Sequence, residues 1–191
     1  MSATEPVRNK HQVRTLIEYY LKLGRFRNHC LVVMSVCTAL RISDLLRLRW
    51  DDVYDFERGR VRESIVLTEK KTGKTKIVAL NKDAVRALAR YASKVAVRNG
   101  FLIENKRTGK AISRVQAYRI IRAAAKALRL PCRVSCHSLR KTFGYHAWKN
   151  GVSPAVIMEI YNHSSLAVTR RYLGVTQDDQ NAVYLALNFS A

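Results

Sequence analysis

The stretch GRVRESIVLTEKKTGKTKIVAL, residues 59–80, differs in pattern from the chain on either side of it. Two β-rich runs, 60–68 and 75–80, flank a turn that contains Thr72 and Gly73, and runs of this kind around a glycine turn predict a hairpin. Lys70, Lys71 and Lys74 fall near its tip. A lysine in that position is either an ordinary solvated turn residue or a proton donor carried on a movable arm.

Outside the hairpin the apolar residues recur at helical spacing. Val13, Leu16, Ile17, Tyr20 and Leu21 predict an amphipathic helix from Lys10 to Leu23, stopped by Gly24. Residues 29–40, HCLVVMSVCTAL, are apolar nearly all round and read as a buried helix, and in the following RISDLLRLRW the residues Leu45, Leu48 and Trp50 continue an apolar face. After the hairpin, Asn81 caps a helix over 82–98 and Ser113 one over 114–128, with a break at Pro131. A helix over 136–149 ends at Asn150-Gly151, and Ser153-Pro154 starts another in the N-cap and N1 positions. His163 falls in the turn after it. Ser164 or Ser165 then caps a short helix holding Tyr172, and Gly174 closes that helix. Residues 175–191 read as a last, partly apolar helix. The expected fold class is α+β, mainly α-helical with one small antiparallel sheet. No repeat or Pro/Ser-rich linker divides residues 1–191, so one domain is expected.

Thirty-five Lys and Arg against 14 Asp and Glu give a net charge of +21. The basic residues are spread along the whole length, which favours a polyanion such as nucleic acid over a membrane surface. The first residues, MSATEPVRNK, lack the apolar core of a signal peptide, and no apolar run approaches the ~20 residues that span a bilayer. A cytoplasmic protein without membrane contact is expected. Cys30, Cys37, Cys132 and Cys136 lack paired spacing; Cys132, Cys136 and His137 find no fourth donor at zinc-finger distance, so they read as small core residues in a reducing compartment.

Several residues could carry chemistry. Arg41 adjoins a long apolar run, where a guanidinium is costly unless paired, and Asp44 three residues on is expected to brace it. The pair is either purely structural or a support that aims the guanidinium at a phosphate. His137 and Arg140 are three apart on one helix and could approach one phosphate together. His163 and Tyr172 flank the capped short helix, where each could equally be a packing residue. Taken singly, none of these decides the function.

Their order does. Arg41 in TALRISDLL, Lys71 in KKTGK on a hairpin, HSLR on a helix, YNHSS and a tyrosine nine residues after its histidine together resemble the catalytic domain of the tyrosine recombinase (phage integrase) family, over residues 10 to 180. The resemblance implies a catalytic set of Arg41, Lys71, His137, Arg140, His163 and Tyr172, with Asp44 supporting Arg41. Lys71 is preferred to Lys70 and Lys74 because KTGK leads into IVAL as in the family's hairpin. It also implies double-stranded DNA as substrate, no metal and no cofactor, and assembly as a tetramer on two duplexes with the tail 175–191 passed to a neighbour or packed in cis. The family's preceding helical DNA-binding domain is not expected in this chain, so weaker and less specific DNA binding follows.

In such a site two guanidiniums and a histidine suit the charge that develops on a phosphodiester. Tyr172, with an ordinary pKa near ~10, would attack phosphorus while His137 takes its proton, and Lys71 would protonate the leaving 5′ oxygen. A type IB topoisomerase has similar residues but reseals the same strand. A basic protein that only holds phosphate, and a metal-dependent nuclease using Asp51, Asp52, Asp55 and Glu57, are the other readings.

Overall fold

The computed structural model describes residues 4–95, 100–130 and 133–187. Helices α1 (Lys10–Lys22) and α2 (Phe26–Cys37) open the fold, and Asn9 caps α1 by accepting from the amides of His11 and Gln12. The all-round apolar character of α2 has a direct structural result. Cys30 to Ser35 are buried without a break, and α2 packs against α1, a later helix α5 (Lys82–Ala92) and α7 (Cys136–Lys149). Leu31 and Met34 are fully enclosed, so truncating either to alanine should cost about 2–5 kcal/mol.

In the run after α2, Leu45, Leu48 and Trp50 are buried as the expected apolar face requires, but no continuous helix carries them. The run forms two single turns, α3 (Ile42–Leu45) and α4 (Trp50–Val53). The backbone between them is drawn away to pair with residues 100–102: Trp50 N donates to Gly100 O at 3.1 Å and Leu102 N to Leu48 O at 2.8 Å. Those bonds compete directly with helical ones.

Three antiparallel ribbons follow from the described residues rather than one. The predicted hairpin is the long one, β3 (Ser64–Thr68) with β4 (Thr75–Ala79), in register from Ser64 opposite Ala79 to Thr68 opposite Thr75. Ile65 and Val78 face the core, while Val66 and Ile77 face out, as the two-residue period requires. The ribbons β1 (Tyr54–Asp55) with β2 (Arg60–Val61), and β5 (Glu104–Asn105) with β6 (Lys110–Ala111), have two residues per strand, too short for any alternation to be read.

Asn81 caps α5 as expected, but the helix ends at Ala92; residues 96–98 of the expected 82–98 span lie outside the described residues. Ser113 and Gln116 form a capping box on α6 (Arg114–Ala127). Ser153 and Pro154 start α8 (Pro154–Tyr161). Ser165, rather than Ser164, caps α9 (Leu166–Leu173), which Gly174 closes in the left-handed conformation at φ 64°. The final helix, α10 (Gln177–Ala186), buries no residue, and Val183, Tyr184, Leu185 and Leu187 are all more than half exposed. Among the described residues of the tail, the apolar side of α10 is therefore exposed, and an ion pair between Asp179 and Lys149 joins the helix to α7. No described helix is long and apolar enough to cross a membrane.

Candidate active site

The core beneath α7, α8 and α9 holds Ala39, Ile157, Tyr161 and Leu173. Above it α7, α9, the start of α3 and the tip of the long hairpin border a cleft of about 680 Å³ lined by Arg41, Lys71, His137, Arg140 and Tyr172, among others. Cys136 lines it too. Burial pushes its thiol up to about 11 and that of Cys30 to about 12, so both remain un-ionised at neutral pH; Cys132 lies outside the described residues.

Arg140 is 3% exposed, far more buried than an arginine usually is. Its fork is nevertheless well held. Nη1 donates to the carbonyl of Ala39, which turns into the left-handed conformation at φ 54°, and Nη2 donates to the carbonyl of Tyr161 at 3.0 Å. The guanidinium also stacks over the Tyr161 ring at 4.6 Å. Burial, and then the charge of Arg41, lower its pKa from the usual arginine value.

Arg41 reaches the same place from the other side. Its Nη2 donates to the Tyr161 carbonyl at 3.2 Å, and its Nη1 forms an ion pair with Glu69 Oε2 at 2.7 Å. The expected brace, Asp44, is not its partner. Arg41 is the extended N-cap of α3, outside the helix, so the three-residue spacing does not put the two side chains on one face. Asp44 turns instead to the hairpin, accepting the amide of Lys70 at 3.0 Å.

His137 and Arg140 project from one face of α7 as their spacing predicts, and Ser135 caps that helix. Tyr172 comes from α9 to meet them, its hydroxyl 3.3 Å from His137 Nδ1. The tyrosine ring lies edge-on to both His137, at 4.8 Å, and His163, at 4.4 Å. His163 Nδ1 is 3.1 Å from the hydroxyl of the fully buried Thr169. Burial, followed by nearby cations, pushes both histidines down to about 4: Lys141 and Arg140 for His137, Arg140 and Arg41 for His163. Both rings are thus neutral at neutral pH.

Lys71, at the exposed hairpin tip, is the lysine of that turn that lines the cleft. A second hairpin lysine went unnoticed in the sequence. Lys76 on β4 turns inward, donates to the carbonyl of Ile160, and is pushed down to about 8, first by burial and then by Arg140. Glu69, Tyr161, Asn162 and Thr169 were likewise missed. Tyr161 donates its hydroxyl to Arg140 O at 2.6 Å and fills space beside Gly144, where a Cβ would collide with its ring.

Among the described residues the buried side-chain polar atoms with neither a hydrogen-bond partner nor an ion pair are Asp44 Oδ2, Glu69 Oε1 and Arg140 Nε. Arg140 lines this cleft, and Asp44 and Glu69 stand in the wall behind it. Orphaned polar atoms that cluster in this way mark a place built for something other than stability. No described group of three or more His, Cys, Asp or Glu side chains could hold a metal ion. The acidic run 51–57 is engaged locally, Asp52 capping α4 through the Arg49 amide and Asp55 accepting the Arg58 amide.

The description "Phage integrase family" matches residues 7–178. The probable integrase/recombinase YoeC of Bacillus subtilis (strain 168) is 35% identical over 184 residues, which cover 96% of this chain and 97% of that protein. Tyrosine recombinase XerD of Mycobacterium tuberculosis (strain CDC 1551 / Oshkosh) is 30% identical over 157 residues, 78% of this chain and 48% of its own length. The chain therefore spans nearly all of YoeC and about half of XerD. Among solved structures, that of XerA recombinase superposes with a TM-score of 0.77 at 23% identity, covering 96% of this chain and 66% of that one. XerH bound to a palindromic difH substrate gives 0.76 at 20%, covering 96% and 53%. These two likenesses establish the fold.

Proposed function

The chain belongs to the phage integrase family of DNA breaking-rejoining enzymes, and from that premise we propose that it is a site-specific recombinase that cuts DNA through a covalent bond to Tyr172. The observation that carries the reading is the Tyr172 hydroxyl standing beside a neutral His137 in a cleft walled by two guanidiniums and a lysine.

In this reading a scissile phosphate enters between Arg41 and Arg140, which with His163 offset the charge gathering on its non-bridging oxygens. Both arginines are held by backbone carbonyls before DNA arrives, so little reorganisation accompanies binding. The Tyr172 oxygen attacks phosphorus and its proton passes to His137. At about 4 that imidazole is a weak base in the free protein, but an incoming anion favours the protonated ring and raises its proton affinity during the reaction. Lys71 protonates the departing 5′ oxygen. The phosphotyrosyl bond at the DNA 3′ end keeps the energy of the broken linkage, so a 5′ hydroxyl from a second duplex can reverse the step without ATP.

Double-stranded DNA is the proposed partner. Its support is the net charge of +21 together with the solved relatives described as DNA complexes, among them the XerH complex and a lambda integrase dimer on a core site. Assembly as a tetramer on two duplexes is proposed with it, the exposed apolar side of α10 being passed to a neighbour.

The test is incubation with a pool of nicked duplexes of randomised sequence in EDTA, followed by denaturing electrophoresis, for the wild type and Tyr172→Phe. A protein-linked DNA band from the wild type alone supports the proposal. Tight binding without any adduct would mean that the residues only hold phosphate, and relaxation of supercoiled DNA without strand exchange would point to the topoisomerase reading.

A further inference from the structure

Glu69 follows β3 directly, its side chain is sealed from solvent, and the reaction sketched above does not use it. Its Oε2 gathers three groups from three separate places. Arg41 Nη1 lies at 2.7 Å, Asn162 Nδ2 donates at 2.8 Å, and Thr72 Oγ1 donates at 2.8 Å. Asn162 immediately precedes His163 and is left-handed at φ 51°; Thr72 immediately follows Lys71. One carboxylate oxygen thus joins the turn carrying His163 to the tip carrying Lys71.

A buried carboxylate is costly unless donors compensate it. Burial does push the Glu69 carboxyl upward, but the groups from Asn162, Arg41 and Thr72 outweigh that and hold it below the usual carboxylate range. The anion is therefore present at neutral pH to hold its partners. The strand ladder ends at Thr68 and Thr75. Beyond it the turn is closed by its own backbone, Glu69 N to Lys74 O at 3.0 Å and Gly73 N to Glu69 O at 2.9 Å, and Asp44 accepts the Lys70 amide, while the side chains of residues 70–75 are exposed. The Thr72–Glu69–Asn162 chain adds a side-chain tie from that tip to the His163 turn. A proton donor must come within about 3 Å of the atom it serves, and bonds within the turn alone do not fix the turn relative to the residues that hold the phosphate.

We propose that Glu69 is a positioning residue of the cleavage step: through Thr72 and Asn162 it latches the hairpin tip to the His163 turn, so that Lys71 meets the leaving oxygen of the phosphate that His163 holds. This rests on the reading of Lys71 as proton donor. In that step the bond from the Tyr172 oxygen to phosphorus forms, the bond from phosphorus to O5′ breaks, and O5′ takes the Lys71 proton.

Thr72→Val and Asn162→Gly each remove one donor of the latch, and glycine keeps a residue at ease with φ 51°. Both variants and the wild type are to be compared at saturating DNA on a duplex whose cut site has been mapped by adduct capture. That duplex is made with the ordinary 5′ oxygen and with a bridging 5′ sulfur, which leaves as a thiolate and needs no proton. On the oxygen substrate each variant should lose about tenfold in single-turnover cleavage, and on the sulfur substrate each should stay within about twofold of wild type. Equal losses on both substrates, or none on either, would overturn the latch. If the wild type gives no adduct from the randomised pool, the proposed function fails, and amide hydrogen exchange then decides the latch separately. Faster exchange over residues 69–74 in either variant, with α7 and α9 unchanged, supports it, and unchanged exchange at the tip overturns it.

Discussion

The hydroxyl of Tyr172 lies 3.3 Å from Nδ1 of His137, although the two residues are 35 positions apart and on different helices. That contact requires α9 to lean against α7, and it pairs a nucleophile with a ring that is neutral across the physiological range.

A pH dependence of stability follows from the depressed histidines, above all His137 and His163, with His29 and His146 lowered by burial in the same direction. The pKa values of His137 and His163 fall from 6.5 to about 4, so between those limits the unfolded chain binds more protons than the folded one. Stability is therefore fully present above pH 6.5 and is lost as pH falls toward 4. Thermal denaturation across this range should show a falling midpoint, and the fall should be shallower in His137→Asn. A midpoint independent of pH between 4 and 6.5 would contradict the buried, neutral state of these rings.

Arg140→Lys keeps the charge but not the fork. A lysine cannot donate in parallel to the Ala39 and Tyr161 carbonyls and still face a phosphate. Covalent adduct formation should drop by about 10²-fold or more, while urea denaturation should show a loss of about 1–3 kcal/mol from the carbonyl left unpaired. Wild-type cleavage by the lysine variant would show that charge alone suffices.

Thr169 sets which nitrogen of His163 carries the proton. The Thr169 hydroxyl has two neighbours, the Ser165 carbonyl at 3.4 Å and His163 Nδ1 at 3.1 Å; when it turns its proton to Nδ1, the ring proton sits on Nε2, the nitrogen free to donate to a phosphate. Thr169→Val should shift the imidazole ¹⁵N resonances toward the other tautomer and slow cleavage, and Thr169→Ser should restore both. Unchanged ¹⁵N shifts in the valine variant would rule out this control.

Leu185→Asp places a charge on the exposed side of α10, where the leucine is 79% exposed. The free chain should keep its melting temperature, while the assembly formed on DNA, followed by light scattering, should fall to smaller species. An unchanged assembly would remove α10 from the interface between copies.

The sequence made much of this site readable because its signals were local. Glycine in the turn of 72–73, serine before proline at 153–154 and the three-residue spacing of His137 and Arg140 each act within a few residues, and each was found where expected. The pairing of Arg41 was not local. Its carboxylate partner comes from the hairpin, and the nearer Asp44 was favoured only because α3 was expected to include Arg41. Lys76 hid for a related reason: alternation on a short strand gives no warning that a lysine turns inward to meet a helix-end carbonyl. An acid among lysines in TEKK, and an asparagine before histidine in YNH, were the available hints for Glu69 and Asn162.

The carbonyl oxygen of Tyr161 receives both arginines, Arg41 and Arg140. The two guanidiniums therefore behave as a single mechanical part with one hinge pin. A substitution that tilts the peptide at 161 would displace both together, and a change confined to one arginine would be resisted by the other through the shared atom. For anyone redesigning the chain to act on a new DNA sequence, the turn at 160–163 is accordingly the piece to leave untouched, even though its side chains need read no base.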